Sequence, residues 1–256
     1  MKPKALAVKL SQKMTSLDLV VLSHNGLEVT KHFLDLLYQN TKVDDWHLVM
    51  IDNGSTDGTP EYLKKEANSR KNMSLFLVDQ NTGVIGGRNL GYEIVSKTLP
   101  RDIKKHIIFL DNDQYVQPGW LSDHINFLDK GYDLVGVEAW QLNGRFIPVR
   151  HIEHIKEHFS YVGCGGMLIK REVTDKIGMF DERFNPCYFE DPDFNFKAYK
   201  EGFKIGWNYN AKIIHMPHQT LGKLDQKEKH QRFVNSLMKM REKWKGFTPP
   251  RLYQNE

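Results

Sequence analysis

At 256 residues, with 40% hydrophobic residues, 27% charged residues and a formal net charge of +4, the chain has enough apolar matter for one large folded domain. The balance excludes a disordered chain and a dedicated, strongly basic nucleic-acid binder, and no apolar run approaches the ~20 residues of a transmembrane segment. Two cysteines, Cys164 and Cys187, are too few for a disulfide framework, so both are expected as free thiols in a cytoplasmic protein.

Residues 1–16 carry positive charge but only a four-residue apolar run, too short for a secretory leader, and are expected to form a loose N-terminal arm. Leu17 to Ser23 is a continuous apolar run, the mark of a strand buried on both faces. Residues 27–40 then place Leu27, Phe33, Leu34 and Leu37 at helical spacing. Trp46 to Asp52 repeats the strand pattern, and Thr59 followed by Pro60 marks a helix start. Ser74 to Asp79 predicts a third strand, residues 86–97 a helix, and His106 to Asp111 a fourth strand. Strands alternating with helices predict an α/β fold with a mostly parallel central sheet flanked by helices on both faces.

Beyond Asp113 the alternation fades. A short helix to about residue 129, strands near 133–140, 145–150 and 161–170, a helix near 189–201 and a strand pair near 203–215 predict a mixed region built onto the first sheet. From Gln226 to Lys245, Phe233, Leu237, Met240 and Trp244 recur at spacings of four, three and four, predicting an amphipathic helix. Eight basic residues stand against three acidic ones between Lys223 and Lys245, so this helix is expected either to pack its stripe on the domain or to touch an anionic surface peripherally.

In parallel sheets ligands gather beyond the carboxyl ends of the strands, and the polar clusters of this chain fall there. Asn25, Asp52, the stretch Asn81 to Asn89, and Asp111-Asn112-Asp113 each follow a predicted strand, so they are expected to converge on one crevice. Asp111 and Asp113, two apart on an extended chain, would project together, and paired carboxylates suit Mg²⁺ or Mn²⁺ with a substrate diphosphate. Gly86-Gly87-Arg88 lacks dinucleotide spacing, but its glycines permit close backbone approach to an anion, to which Arg88 adds charge. Glu190-Asp191-Pro192-Asp193 is the second acidic cluster; Pro192 at the first helical position would make Asp191 the cap and a fixed general base. His215 ends an apolar strand and is a candidate metal ligand, with His218 a weaker one.

These residues, in this order, resemble glycosyltransferase family 2, the inverting nucleotide-sugar transferases of the GT-A fold. Ile51 to Gly58 is similar to the family's nucleotide-binding motif, Asn81 to Asn89 to its Gly-Gly-Arg-Asn loop, and Leu110 to Asp113 to its D-x-D motif. Gly165-Gly166, Gly178-x-Phe180-Asp181-Glu182 and Glu190-Asp191 resemble the acceptor side. The resemblance covers residues 17–220 and implies that Asn25, Asp52, Asn81, Gly87, Arg88, Asp111 and Asn112 serve the nucleotide. By it Asp52 and Arg88 contact the base, Asp111 the ribose and Asp113 the metal; Asp191 is the catalytic base, and His215 lies near the metal or diphosphate. Gly165, Gly166 and Glu190 fall to the acceptor side.

It further implies a divalent metal, Mn²⁺ or Mg²⁺, a nucleotide-sugar donor of the UDP-sugar type, and an acceptor that is a glycan, a lipid-linked sugar, a protein or modified DNA. Lys197 stands where the family often has arginine, and the Q-x-x-R-W signature of processive members is absent, which favours transfer of a single sugar. The alternatives are a nucleotidyltransferase, which would carry a Gly-rich basic loop after the first strand where this chain has Ser23-His24-Asn25-Gly26, and a non-catalytic carbohydrate- or nucleic-acid-binding module.

Overall fold

The computed structural model describes residues 5–9, 17–98, 106–216 and 225–254. Its first half runs β1 (Ala5–Lys9), β2 (Leu17–Ser23), α1 (Leu27–Asn40), β3 (Trp46–Asp52), α2 (Thr59–Ser69), β4 (Met73–Val78), α3 (Gly83–Thr98) and β5 (His106–Asp111). The second half contains β6 (Gln114–Val116), α4 (Trp120–Asp129), β7 (Leu134–Gly136), β8 (Ala139–Leu142), β9 (Pro148–His151), β10 (Tyr161–Val162) and β11 (Met167–Ile169). It continues with α5 (Arg171–Ile177), α6 (Glu190–Lys200), β12 (Ile205–Trp207), β13 (Ile213–His215) and α7 (Gln226–Lys243).

The main sheet has eight strands in the order β1-β4-β3-β2-β5-β11-β7-β12. Its centre, β4-β3-β2-β5, is parallel, as expected, while β1 pairs antiparallel to β4, and β11 antiparallel to both β5 and β7. Because side chains alternate along a strand, each central strand feeds two cores. Leu19 and Val21, Leu48 and Met50, and Ile108 and Leu110 meet Phe33, Leu34 and Leu37 of α1 and Leu63 of α2 on one face. Val20, Val49, Ile51, Ile107 and Phe109 meet Ile85 and Val95 of α3 and Phe194 and Phe196 of α6 on the other. This two-sided burial is why the strands read as unbroken apolar runs.

Three expectations are corrected. Residues Ala5–Lys9, expected within a loose arm, form an edge strand whose backbone pairs with β4; the rest of the arm lies outside the described residues, as does His218. The strands near 203–215 do not pair with each other: β12 runs parallel to β7, and β13 antiparallel to β6. At α2, Gly58 precedes the helix and Thr59 is its first residue, the Thr59 N–H being held by Asp57 Oδ1 at 3.0 Å.

The helix expected from Gln226 ends at Lys243, and its stripe packs on the domain. Leu237, Met240 and Trp244 are buried, and Phe233 stacks on Tyr188 and Phe189 at 5.8 and 5.3 Å. Part of its basic face turns inward as well. Lys243 Nζ lies 2.6 Å from Asp193 Oδ1 and 2.8 Å from Asp181 Oδ2, while Lys239 Nζ donates to the Arg183 carbonyl at 2.6 Å. Asp193 is fully buried, so Lys243→Ala would leave its carboxylate with only the Trp244 Nε1 donor, 2.8 Å away. We expect that variant to lose about 3 kcal/mol in urea denaturation; a loss below ~0.5 kcal/mol would show that the pair adds nothing.

Candidate active site

One crevice of about 820 Å³ opens at the carboxyl ends of the parallel strands. Its walls include Asn25, Asn53, Asn81, Arg88, Asp111, Asn112, Asp113, Gly165, Glu190, Asp191 and His215, so most of the sequence-derived candidates are brought together. Asp52, Gly87 and Gly166 do not line it, and each has a physical reason to lie behind the wall. Asp52 is buried, its carboxylate accepting the Ser55 N–H at 3.1 Å and the Ser23 and Ser55 hydroxyls at 3.3 and 2.5 Å, which holds the Asn53–Ser55 turn in shape. Gly87 faces β2: an added Cβ would come within 2.3 Å of Leu22 Cδ2, so the glycine serves close helix–sheet packing. Gly166 has a φ of +80°, and its N–H donates to the Phe109 carbonyl at 2.7 Å. Its own carbonyl accepts from His124 Nε2 at 2.8 Å, and burial holds that imidazole neutral, down to about 4.

On the nucleotide side, Asn25 Oδ1 accepts the Thr56 N–H at 2.8 Å, tying the loop after β2 to the loop after β3. Asn53 and Asn81 are linked at 3.2 Å, and Asn53 Oδ1 also accepts the Thr82 N–H and hydroxyl at 3.0 and 2.9 Å. Arg88 is buried and places Nη2 on both Asp111 oxygens at 2.8 and 2.9 Å, leaving its Nε without a partner. Asp111 is therefore charge-balanced from below.

Asp111 is the last residue of β5, whereas Asn112 and Asp113 form the turn into β6, so the shared orientation comes from a strand end and a turn rather than from one extended strand. Ligand atoms of Asp111, Asp113 and His215 lie within 4.8 Å of one another. Asp113 Oδ1 is buried without a hydrogen bond, with His215 Nε2 standing 3.5 Å away. An orphaned buried carboxylate oxygen beside a second carboxylate and an imidazole fits a divalent cation well. Gly165 is explained here too, because a Cβ would approach Asp111 Oδ2 to 3.1 Å and Gln114 Nε2 to 2.7 Å.

The acidic cluster at α6 separates into three roles. The helix is preceded by Phe189, with φ +70°, not by Asp191; Glu190, Asp191 and Pro192 are its first three residues. Proline is tolerated there because the first-turn N–H groups have no intrahelical acceptor. Asp193 is spent on Lys243 and Trp244. Burial pushes both Glu190 and Asp191 well above the usual carboxylate range, while Arg88 pulls them back. The Cys164 backbone beside Asp191 favours its charged form, and one of its oxygens is buried without a partner. Phe189 and Tyr188, at φ +76°, hold a left-handed backbone that non-glycine residues adopt at a cost of about 1–3 kcal/mol each. Their stacking on Phe233, and the Ser236 hydroxyl donating to the Cys187 carbonyl at 3.2 Å, hold them there.

Sequence reasoning missed Glu138, which lies between β7 and β8 and places Oε1 3.1 Å from His215 Nδ1. It also missed the aromatic part of the crevice wall, made by Trp140 and Tyr161. Trp140 and Tyr161 are cross-strand partners of β8 and β10, and so share a face, a pattern too short to read in the chain. Lys197 turns away from the crevice, donating to the Met179 carbonyl at 2.5 Å.

Cys164 and Cys187 are free and buried, as expected, and burial pushes Cys164 well up and Cys187 to about 11. A thiol held protonated in this way is a poor nucleophile. Alkylation of the native protein should leave both untouched, and alkylation in denaturant without reductant should modify both; rapid native labelling of Cys164 would contradict the thiol state described.

A family model described as Glycosyl transferase family 2 matches residues 18–190, about two thirds of the chain. The chain belongs to glycosyl transferase family 2. Its relatives include glycosyltransferase AglE of Haloferax volcanii, 27% identical over 138 residues, covering 53% of this chain and 41% of AglE. Another is the poly(ribitol-phosphate) beta-N-acetylglucosaminyltransferase TarS of Staphylococcus aureus, 26% identical over 141 residues, covering 53% of this chain and 23% of TarS. This family 2 chain spans about a quarter to a half of the length of the first curated relatives it matches.

Among solved structures, GalNAc-T7 with UDP, GalNAc and Mn²⁺ superposes with a TM-score of 0.71 at 13% identity, covering 91% of this chain and 49% of that one. The mannosyltransferase PcManGT of Pyrobaculum calidifontis, in complex with GDP-Man and Mn²⁺, gives 0.62 at 14% identity, covering 82% of this chain and 59% of that one. The GT-A architecture implied by the sequence resemblance is borne out. Among the described residues, no helix is long and apolar enough to cross a membrane.

Proposed function

We propose that this family 2 chain moves one sugar from a nucleotide-diphosphate sugar, in the first place a UDP-sugar, onto an acceptor hydroxyl with inversion at the anomeric carbon. The observation that carries the reading is the placement of two unlike acidic sets in one crevice. Asp111, Asp113 and His215 offer a cation site at the ends of β5 and β13, and Asp191 offers a half-buried carboxylate at the start of α6, one of its oxygens without a hydrogen-bond partner. The solved structures of like fold that hold UDP or GDP-Man with Mn²⁺ support a nucleotide-sugar donor and a divalent ion, Mn²⁺ or Mg²⁺.

When bound, such an ion neutralises charge on the departing diphosphate. Asp113 and His215 would hold it, with Asp111 shared between it and Arg88. The nucleotide is held against Asn25, Asn53, Asn81 and Asn112, with Asp52 acting from behind through the loop it shapes. Asp191 accepts the proton of the acceptor hydroxyl as that oxygen attacks the anomeric carbon, so the acceptor enters along the Trp140 and Tyr161 wall. Aromatic faces there favour an acceptor that presents a sugar ring, as in a glycan or a lipid-linked sugar, over a peptide or DNA.

A peripheral contact with an anionic surface rests, in this reading, on the exposed Lys227 and Lys245 of the α7 region, since Lys239 and Lys243 are engaged within the domain. Two buried, unpaired thiols support a reducing, cytoplasmic setting.

A thermal-shift panel of nucleotide sugars, each with and without Mn²⁺, tests the donor class, because a specific ligand raises stability by an amount set by its concentration over its Kd. A UDP-sugar is expected to stabilise most, and more so with Mn²⁺. Stabilisation by nucleoside triphosphates but by no nucleotide sugar would return the nucleotidyltransferase reading.

A further inference from the structure

We propose that Glu138 is a positioning residue for His215, fixing the imidazole so that Nε2 completes a two-carboxylate, one-imidazole centre with Asp111 and Asp113 that prefers Mn²⁺ to Mg²⁺. The inference rests on the metal-dependent reading above and extends it to a residue that neither the sequence motif nor the family match, which ends at residue 190, ties to His215.

The backbone brings His215 close but does not orient its ring. β13 is three residues long and, among the described residues, pairs only with β6, setting His215 opposite Gln114, while the Met216 N–H donates to the Asp113 carbonyl at 2.9 Å. The ring itself is 31% exposed and could turn either nitrogen toward the carboxylates. Glu138 decides between them. Its Oε1 lies 3.1 Å from Nδ1, and an ionised carboxylate only accepts, so Nδ1 donates to Glu138 and Nε2, on the Asp113 side, is the nitrogen that would face a cation. Glu138 is in turn held by its main chain, the Gly163 N–H donating to its carbonyl at 2.9 Å. An outer carboxylate on the second nitrogen of a metal-binding histidine is a recurrent arrangement whose loss costs about 10–100-fold in metal affinity. An imidazole in the set also disfavours Mg²⁺, which takes oxygen donors, relative to first-row transition ions.

The test is Mn²⁺ binding to the intact chain, read as loss of the free-ion EPR signal, with Mg²⁺ as competitor and a thermal melt as folding control. Wild type is expected to bind Mn²⁺ more tightly than Mg²⁺. Glu138→Ala should weaken Mn²⁺ by about 10–100-fold, and Glu138→Gln, whose amide oxygen can still accept the Nδ1 proton, by much less. His215→Ala should bring the two ions close to equal affinity. If Glu138→Gln loses as much as Glu138→Ala, the carboxylate acts only through its charge and the positioning role is overturned. If Glu138→Ala binds Mn²⁺ like wild type while Asp113→Ala does not bind it, the inference fails and the metal reading stands; if wild type binds no Mn²⁺, both fail.

Discussion

Replacing Asp191 by Asn is expected to lower turnover by about 10²–10⁴-fold while nucleotide-sugar affinity stays within a few-fold of wild type. Asn keeps the shape and an amide oxygen that can accept a hydrogen bond, but it cannot take a proton from the acceptor. The neighbouring acids provide the contrast. Asp193→Asn removes the charge that Lys243 pairs with and should act on stability, since both Lys243 and Trp244 converge on that carboxylate. Glu190→Gln removes a buried carboxyl whose ionised form burial and Asp191 both disfavour, and should leave most of the rate. Turnover, donor affinity and melting temperature measured on each preparation separate the roles. A dead Glu190→Gln beside an active Asp191→Asn would move the base by one residue.

The same assignment fixes the sign of the pH dependence. A base must be ionised to work, and burial raises Asp191, so activity is expected to be present at high pH and to fall on acidification through a limb lying above the ~4 of an ordinary carboxylate. Asp191→Asn should abolish that limb.

Asp113→Ala, or chelation of the divalent ion in wild type, is expected to remove activity by about 10³-fold or more, because charge on the leaving diphosphate would go unneutralised. Asp113 is the cleaner probe of the pair. Asp111→Ala would also strip the buried Arg88 of its partner and confound the loss with misfolding. Full activity of wild type in excess chelator would return Asp111-Asn112-Asp113 to an ordinary turn.

The parallel half of the fold was legible because local rules and burial agree there: Leu17–Ser23 and Leu27–Asn40 match their expected bounds, and most of the polar residues after the strands, though not Asp52, meet in one crevice. What could not be read depends on contacts distant in the chain. Asp191 reads as a cap because Pro192 suggests a first helical position, yet the helix begins two residues earlier, stabilised by Phe189 stacking on α7 across some forty residues. Glu138 sits in no motif, and its partner His215 is 77 positions away. Gly87 looks like a ligand contact from composition alone; only its distance to Leu22 shows that it serves helix packing. Ala5–Lys9 is an edge strand because β4 offers a free edge, which four small or apolar residues and a lysine cannot announce by themselves.

The central claim is a single displacement at the anomeric carbon with Asp191 as base, and product stereochemistry tests it most directly. Water can replace the acceptor, so no acceptor need be known: an α-linked nucleotide sugar is incubated with enzyme and Mn²⁺, and the first free sugar is followed by ¹H NMR before it mutarotates. The β-anomer should appear first, and Asp191→Asn should not release it above background. Initial release of the α-anomer would mean retention, and would contradict a single displacement from this crevice.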